Sequence, residues 1–213
     1  MKQIQIIFLF IFLYTTIKGS SKEDFIIEEE FKYVTCGSTI KLTHKPTGFK
    51  LHSHSITYGS GSGQQSVTAI SSADDVNSYW IVEGAFGKER CVRGEAIKCN
   101  QHIRVNHLQT KKHLHSHAHV APLSSEQEVS AYEHTNIEDN FMLRCLKKNV
   151  VYWERESEVR LQHVQSSKYL SSNQNHQYRH PIPGQLEVCG TSRQSENEIW
   201  IAQEGIYFST STY

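Results

Sequence analysis

No long apolar stripe of 3.6-residue period appears after residue 30, so nothing in the sequence supports a helical core. Charge of neither sign is in excess, with 22 lysines and arginines against 22 aspartates and glutamates. No clustered basic face of the kind that grips nucleic acid stands out. No Cys-x-x-Cys spacing occurs, which removes the usual frame of a structural zinc site. A nucleophile elbow, a phosphate loop, His-Glu-x-x-His and a dinucleotide fingerprint are also absent, and with them the sequence signs of the common hydrolases and nucleotide-binding enzymes. Asn-x-Ser/Thr acceptors are missing, prolines number four, and no apolar run reaches the roughly 20 residues needed to cross a bilayer.

What is present is repetition. Cys36-Gly-Ser-Thr-Ile-Lys-Leu-Thr-His44 returns as Cys99-Asn-Gln-His-Ile-Arg-Val-Asn-His107, and again as Arg155-Glu-Ser-Glu-Val-Arg-Leu-Gln-His163. Each closing histidine is followed by a leucine (Leu51, Leu114, Leu170), then a valine (Val67, Val129, Val188), then an aromatic (Trp80, Phe141, Trp200). The copies start 63 and then 56 residues apart. A period of this size marks a unit that buries its apolar face only against its neighbours. Three units make a poor open solenoid, which would be nearly all cap. Closing them on one another removes exposed sheet edges, and the natural result is a β-trefoil. Ile40-Lys41-Leu42-Thr43 and its two counterparts alternate apolar and polar at period two, as strands do, and glycine-rich stretches such as Gly59–Gly63 punctuate them as loops. The expected class is all-β, with Trp80, Phe141 and Trp200 as a core layer.

Residues 1–20 read as a signal peptide: Lys2, the apolar run Ile6–Tyr14, then small residues at Gly19, Ser20 and Ser21. Residues 21–34 read as an N-terminal segment and 35–208 as one trefoil. Without the leader, 20 basic residues face 22 acidic ones, a formal charge of −2. A secretory route gives the five cysteines meaning. Cys36 and Cys99 open units one and two, while Cys91 and Cys145 lie near their ends. In a closed unit the first and last strands are neighbours, which favours Cys36–Cys91 and Cys99–Cys145 as disulfides, with Cys189 a free thiol. Five unbonded buried thiols remain the alternative.

Several phrases together carry a family resemblance: Leu51-His-Ser-His54, Tyr58-Gly-Ser-Gly-Ser-Gly-Gln-Gln-Ser-Val67, Asn77-Ser-Tyr-Trp80, Leu114-His-Ser-His117, Gly184-Gln-Leu-Glu-Val188 and Ile199-Trp-Ile-Ala-Gln-Glu-Gly205. In this order the chain resembles the MIR-repeat proteins, and among them the stromal cell-derived factor 2 family, over about residues 33–208. The resemblance implies a trefoil of three MIR repeats, at about 35–91, 99–152 and 153–208. It also implies a lumenal endoplasmic-reticulum protein, not an enzyme and without a cofactor. Such a protein joins a J-domain co-chaperone and the lumenal ATP-driven chaperone, and acts on misfolded secretory proteins and in the unfolded protein response. The rival class is a glycan-binding module linked to protein O-mannosylation. Thr210–Tyr213 does not resemble a retrieval signal of the Lys-Asp-Glu-Leu type, so the expected means of retention is a bound partner.

The 13 histidines raise the question of a metal. His113, His115, His117 and His119 alternate, as do His52 and His54, so an extended strand points each set to one face. Because Leu-His-Ser-His recurs at matching positions in two units, it reads as part of the repeat: histidines facing solvent, without a metal. His52, His54, His115 and His117 are the candidate surface-binding positions; a bound metal and a pH-responsive interface are the two alternatives. Lys41, Arg104 and Arg160 are likewise expected to face solvent.

Overall fold

The computed structural model describes residues 26–88 and 90–210. The expected leader, 1–20, and the last three residues of the chain lie outside them. Each unit supplies four strands: β1 (Thr39–His44), β2 (Lys50–Thr57), β3 (Gln65–Ile70) and β4 (Trp80–Gly84) in the first; β5 (His102–His107), β6 (His113–Val120), β7 (Gln127–Tyr132) and β8 (Phe141–Cys145) in the second; β9 (Glu158–His163), β10 (Tyr169–Gln177), β11 (Leu186–Thr191) and β12 (Trp200–Ile206) in the third. Among the described residues, the only helical segments are three-residue 3-10 turns, one of them directly before the last strand of each unit.

Six strands close a barrel in the order β1, β4, β5, β8, β9, β12 and back to β1, every neighbour antiparallel. The hairpins β2–β3, β6–β7 and β10–β11 cap one end, and β3, β7 and β11 pair with one another in a triangle. This is a β-trefoil. Alternation sets which side chains enter it: in β5 and β9 every second residue is buried, so Ile103, Val105, Val159 and Leu161 fill the barrel beside Ile40 and Leu42. Leu51, Leu114 and Leu170 from the cap hairpins, with Val67, Val129 and Val188, form the next layer. Trp80 and Trp200 are fully buried and Phe141 nearly so; each indole donates its Nε1–H to a cap carbonyl, Leu51 and Leu170 respectively, at 2.9 Å.

A second layer plugs the opposite end of the barrel. Val34, Ile97 and Trp153 are fully buried, and their backbones bond head to tail: Val34 N–H to Trp153 O at 2.9 Å, Trp153 N–H to Ile97 O at 2.8 Å, Ile97 N–H to Val34 O at 3.0 Å. These residues keep the 63 and 56 spacing of the repeat, two positions ahead of Cys36, Cys99 and Arg155. The repeat thus begins earlier than the cysteines suggest. Where β12 meets β1 the register shifts between Ile40 and Leu42, and a Cβ on Gly205 would lie 2.2 Å from Thr39 O. Only glycine permits that approach.

Candidate functional site

The repeated histidine at the end of the first strand of each unit is a joint between units. His107 packs on Trp80 of the preceding unit (ring centroids 4.9 Å), His163 on Phe141 (5.3 Å) and His44 on Trp200 (5.0 Å). In each ring Nε2 donates to a carbonyl of the preceding unit's 3-10 turn: Asn197 O, Asn77 O and Glu138 O, at 2.8–3.0 Å. Nδ1 accepts from Thr47, Thr110 or Ser166, each at 2.8 Å. Both nitrogens are satisfied in the neutral form, and burial pushes all three imidazoles below their ordinary pKa. The imidazoles are buried while their hydroxyl partners Thr47, Thr110 and Ser166 are half-buried, and each pair ties the loop after the strand to the preceding unit's turn.

The Leu-His-Ser-His histidines do not all face solvent. His52 and His115 are 2% and 1% exposed, because each ring donates its Nδ1–H to a carboxylate beside the following 3-10 turn, His52 to Asp75 and His115 to Asp139, both at 2.8 Å. In unit three Ser171 takes the same position and donates to Glu198 at 2.9 Å. His54 and His117 are half-buried at the rim, each ring edge-on to its buried neighbour at 4.9 Å. Along β6, His113 and His115 are buried, His117 is half-buried and His119 is exposed. Lys41 is also buried, with Nζ reaching Glu204 at 2.8 Å, the Ala73 carbonyl and the face of Tyr79. Arg104 is half-buried beside Glu83.

At the tips of the cap hairpins, buried carboxylates hold neighbouring loops. Glu128 of β7 accepts from the backbone and hydroxyl of Ser62 and from His117 Nε2 at 3.2 Å. Burial pushes this carboxyl up, but His117 and Ser62 outweigh that and hold it below the usual carboxylate range. Glu187 of β11 accepts from the backbone of Leu123 at 2.6 Å and Ser124 at 2.8 Å. Where the three tips meet, Tyr58, Pro122, Tyr178, Pro181 and Ile182 line a hollow of 150 Å³. Ile56, Val120 and Leu123 stand exposed around these tips. A larger cleft of 660 Å³ lies along the barrel wall by Cys36 and Cys91, where Lys88, Arg90, Arg93 and Arg104 outnumber Glu83.

Disulfides join Cys36 to Cys91 and Cys99 to Cys145. Cys189 is an unbonded thiol inside the cap, where desolvation pushes its pKa up to about 12, so it is a packed thiol and not a nucleophile. Sequence reasoning missed the roles of Asp139, Glu128 and Glu187, although Glu128 and Glu187 each directly precede a repeat valine and the register could have flagged them; the pair Asp74-Asp75 reads from sequence as solvated, whereas Asp75 holds His52. It also missed Trp153, which the repeat spacing could have flagged.

The MIR domain family matches residues 50–202. Human stromal cell-derived factor 2 is 46% identical over 181 residues, covering 84% of this chain and 83% of the relative. The crystal structure of the SDF2-like protein from Arabidopsis thaliana superimposes with a TM-score of 0.80 at 41% identity, over 84% of this chain and 99% of that one. The S. cerevisiae protein O-mannosyltransferase Pmt1–Pmt2 complex bound to its sugar donor matches at 25% identity and a TM-score of 0.73, over 90% of this chain and 29% of the longer one. Family model, length and fold agree, and the chain belongs to the stromal cell-derived factor 2 family of MIR-domain proteins.

Proposed function

We propose that this chain is a non-catalytic quality-control subunit of the endoplasmic-reticulum lumen. In this reading it associates with a J-domain co-chaperone and the lumenal ATP-driven chaperone, and acts on misfolded secretory proteins. The observation that carries the reading is its relationship to human stromal cell-derived factor 2, 46% identical over 84% of this chain and 83% of that one. Two features support it. The imidazoles of the hydroxyl–imidazole pairs are buried under their neighbours, and Ile56, Val120 and Leu123 expose apolar surface around the hairpin tips, where an unfolded segment or a partner would gain by burying it. The experiment is a pull-down of the protein from lumenal extract, without sugar elution, followed by mass spectrometry. Recovery of a J-domain protein and its ATP-driven partner, reduced by Leu123→Glu, is the expected result. Clean recovery of the chain alone would overturn the reading.

A second reading, binding of O-mannosyl glycans, is favoured by the likeness to the O-mannosyltransferase complex. A saturable hit on a glycan array, lost on changing one exposed aromatic or basic residue of the cleft beside Cys36–Cys91, would select it.

A further inference from the structure

β6 and the 3-10 turn Ile137–Asp139 bring two imidazoles and a carboxylate together. His115 spends its Nδ1 on Asp139 Oδ1 at 2.8 Å, which leaves Nε2 on the side of the ring that faces Glu138. Asp139 is itself fully buried, and its other oxygen accepts the Asn136 backbone N–H at 2.8 Å. One carboxylate therefore fixes both the ring and the turn that carries Glu138. His115 Nε2 lies 3.5 Å from Glu138 Oε2. One ligand atom from each of His115, His117 and Glu138 falls within a common 4.8 Å.

Ligands about 2.0–2.1 Å from a tetrahedral zinc ion stand about 3.3 Å apart. The His115–Glu138 pair, at 3.5 Å, is close to that separation, and binding would draw in the His117 ligand atom, which lies within 4.8 Å of both, in exchange for its contact with Glu128. A histidine held through its other nitrogen by a carboxylate is the usual outer support of a ligating imidazole. Imidazoles with one carboxylate suit zinc, whereas calcium and magnesium call for oxygen ligands.

The repeat supplies an internal comparison. Asn77, Glu138 and Asn197 are equivalent, since the backbone carbonyl of each accepts from the joint histidine. Unit one has His52 and His54 but Asn77 in place of the carboxylate; unit three has Ser171 and Asn173 with Asn197. The structural duty at this position is done by the backbone, and the Glu138 side chain is surplus to it. We propose that His115, His117 and Glu138 form a zinc site with its fourth position open, Asp139 acting as the positioning residue for His115.

The test is equilibrium dialysis of the disulfide-bonded protein against Zn²⁺, with bound zinc measured by elemental analysis and thermal melts run in parallel. Glu138→Gln retains the backbone carbonyl and the side-chain shape, and His117→Gln keeps a side-chain N–H that can serve Glu128 in place of the ring. The expected result is one zinc per chain, a rise in Tm with zinc, and a loss of affinity of about tenfold or more in both variants. His54→Gln should bind as the unaltered protein does. No stoichiometric zinc, equal affinity in Glu138→Gln and His117→Gln, or an equal loss in His54→Gln would each overturn the proposal.

Discussion

The imidazoles of His44, His107 and His163 are buried in the neutral form, and that makes acid their adversary. Burial lowers their folded-state pKa below the ordinary 6.5, so the unfolded chain binds protons more readily than the folded one. Stability is full above that value and is lost as pH falls through it toward the folded-state pKa. Thermal melts from about pH 7.5 to about pH 5.5 should show a falling Tm. His107→Gln should flatten the slope; an unchanged slope would place the titration elsewhere. Asp75, Glu83 and Glu128 do not blur this window, because their carboxyls titrate below their usual values. Trp80 illustrates the packing side of the same joint. Its indole is fully buried, bonded to Leu51 O and packed at a tilt against His107. Trp80→Ala should cost about 3–5 kcal/mol in urea unfolding. A loss below about 1 kcal/mol would contradict its place in the core.

Among elements, the hairpin tips depend on gripping contacts from the next unit. Gly61 has φ +67°, and a Cβ there would lie 2.1 Å from Glu128 Oε2. Gly61→Ala should cost about 1–3 kcal/mol and expose the 59–64 loop to limited proteolysis; an unaltered melt and cleavage pattern would refute the grip. The disulfides tie the ends of units one and two, at sequence separations of 55 and 46. Replacing Cys99 and Cys145 together by serine should lower stability by about 4 kcal/mol in the chain-entropy account. Strands were legible in the sequence because alternation at Ile40/Leu42, Ile103/Val105 and Val159/Leu161 is a local property. The environment of His52 and His115 was not, because the carboxylates that draw them inward come 23 and 24 residues later, and only the fold brings them near. Lys41 was misread for the same reason: Glu204, its partner, lies 163 residues away.

For the molecule as a whole, the threefold spacing of three closed units was enough to read the architecture, and the same spacing leaves its departures from symmetry exposed to view. Units differ where partners differ: Arg155 stands where two cysteines open the others, and Glu138 where two asparagines sit. Closure predicts that all strands melt together. Far-UV circular dichroism and tryptophan fluorescence should trace one coincident transition; separate midpoints would mean that a unit stands alone. The pairing of β1 with β12 joins Thr39 to Ile206, almost the full length of the described chain. During synthesis β1 is therefore among the first strands made and the last to find its second barrel neighbour, since β4 of its own unit is available early. Until the final strand leaves the ribosome and enters the same compartment, the barrel has an open seam, with the unpaired edge of β1 and the apolar faces of Ile40 and Leu42 beside it. Closure is thus timed by the emergence of β12 rather than by that of either earlier unit, and each newborn chain is itself an unfolded polypeptide with a waiting period.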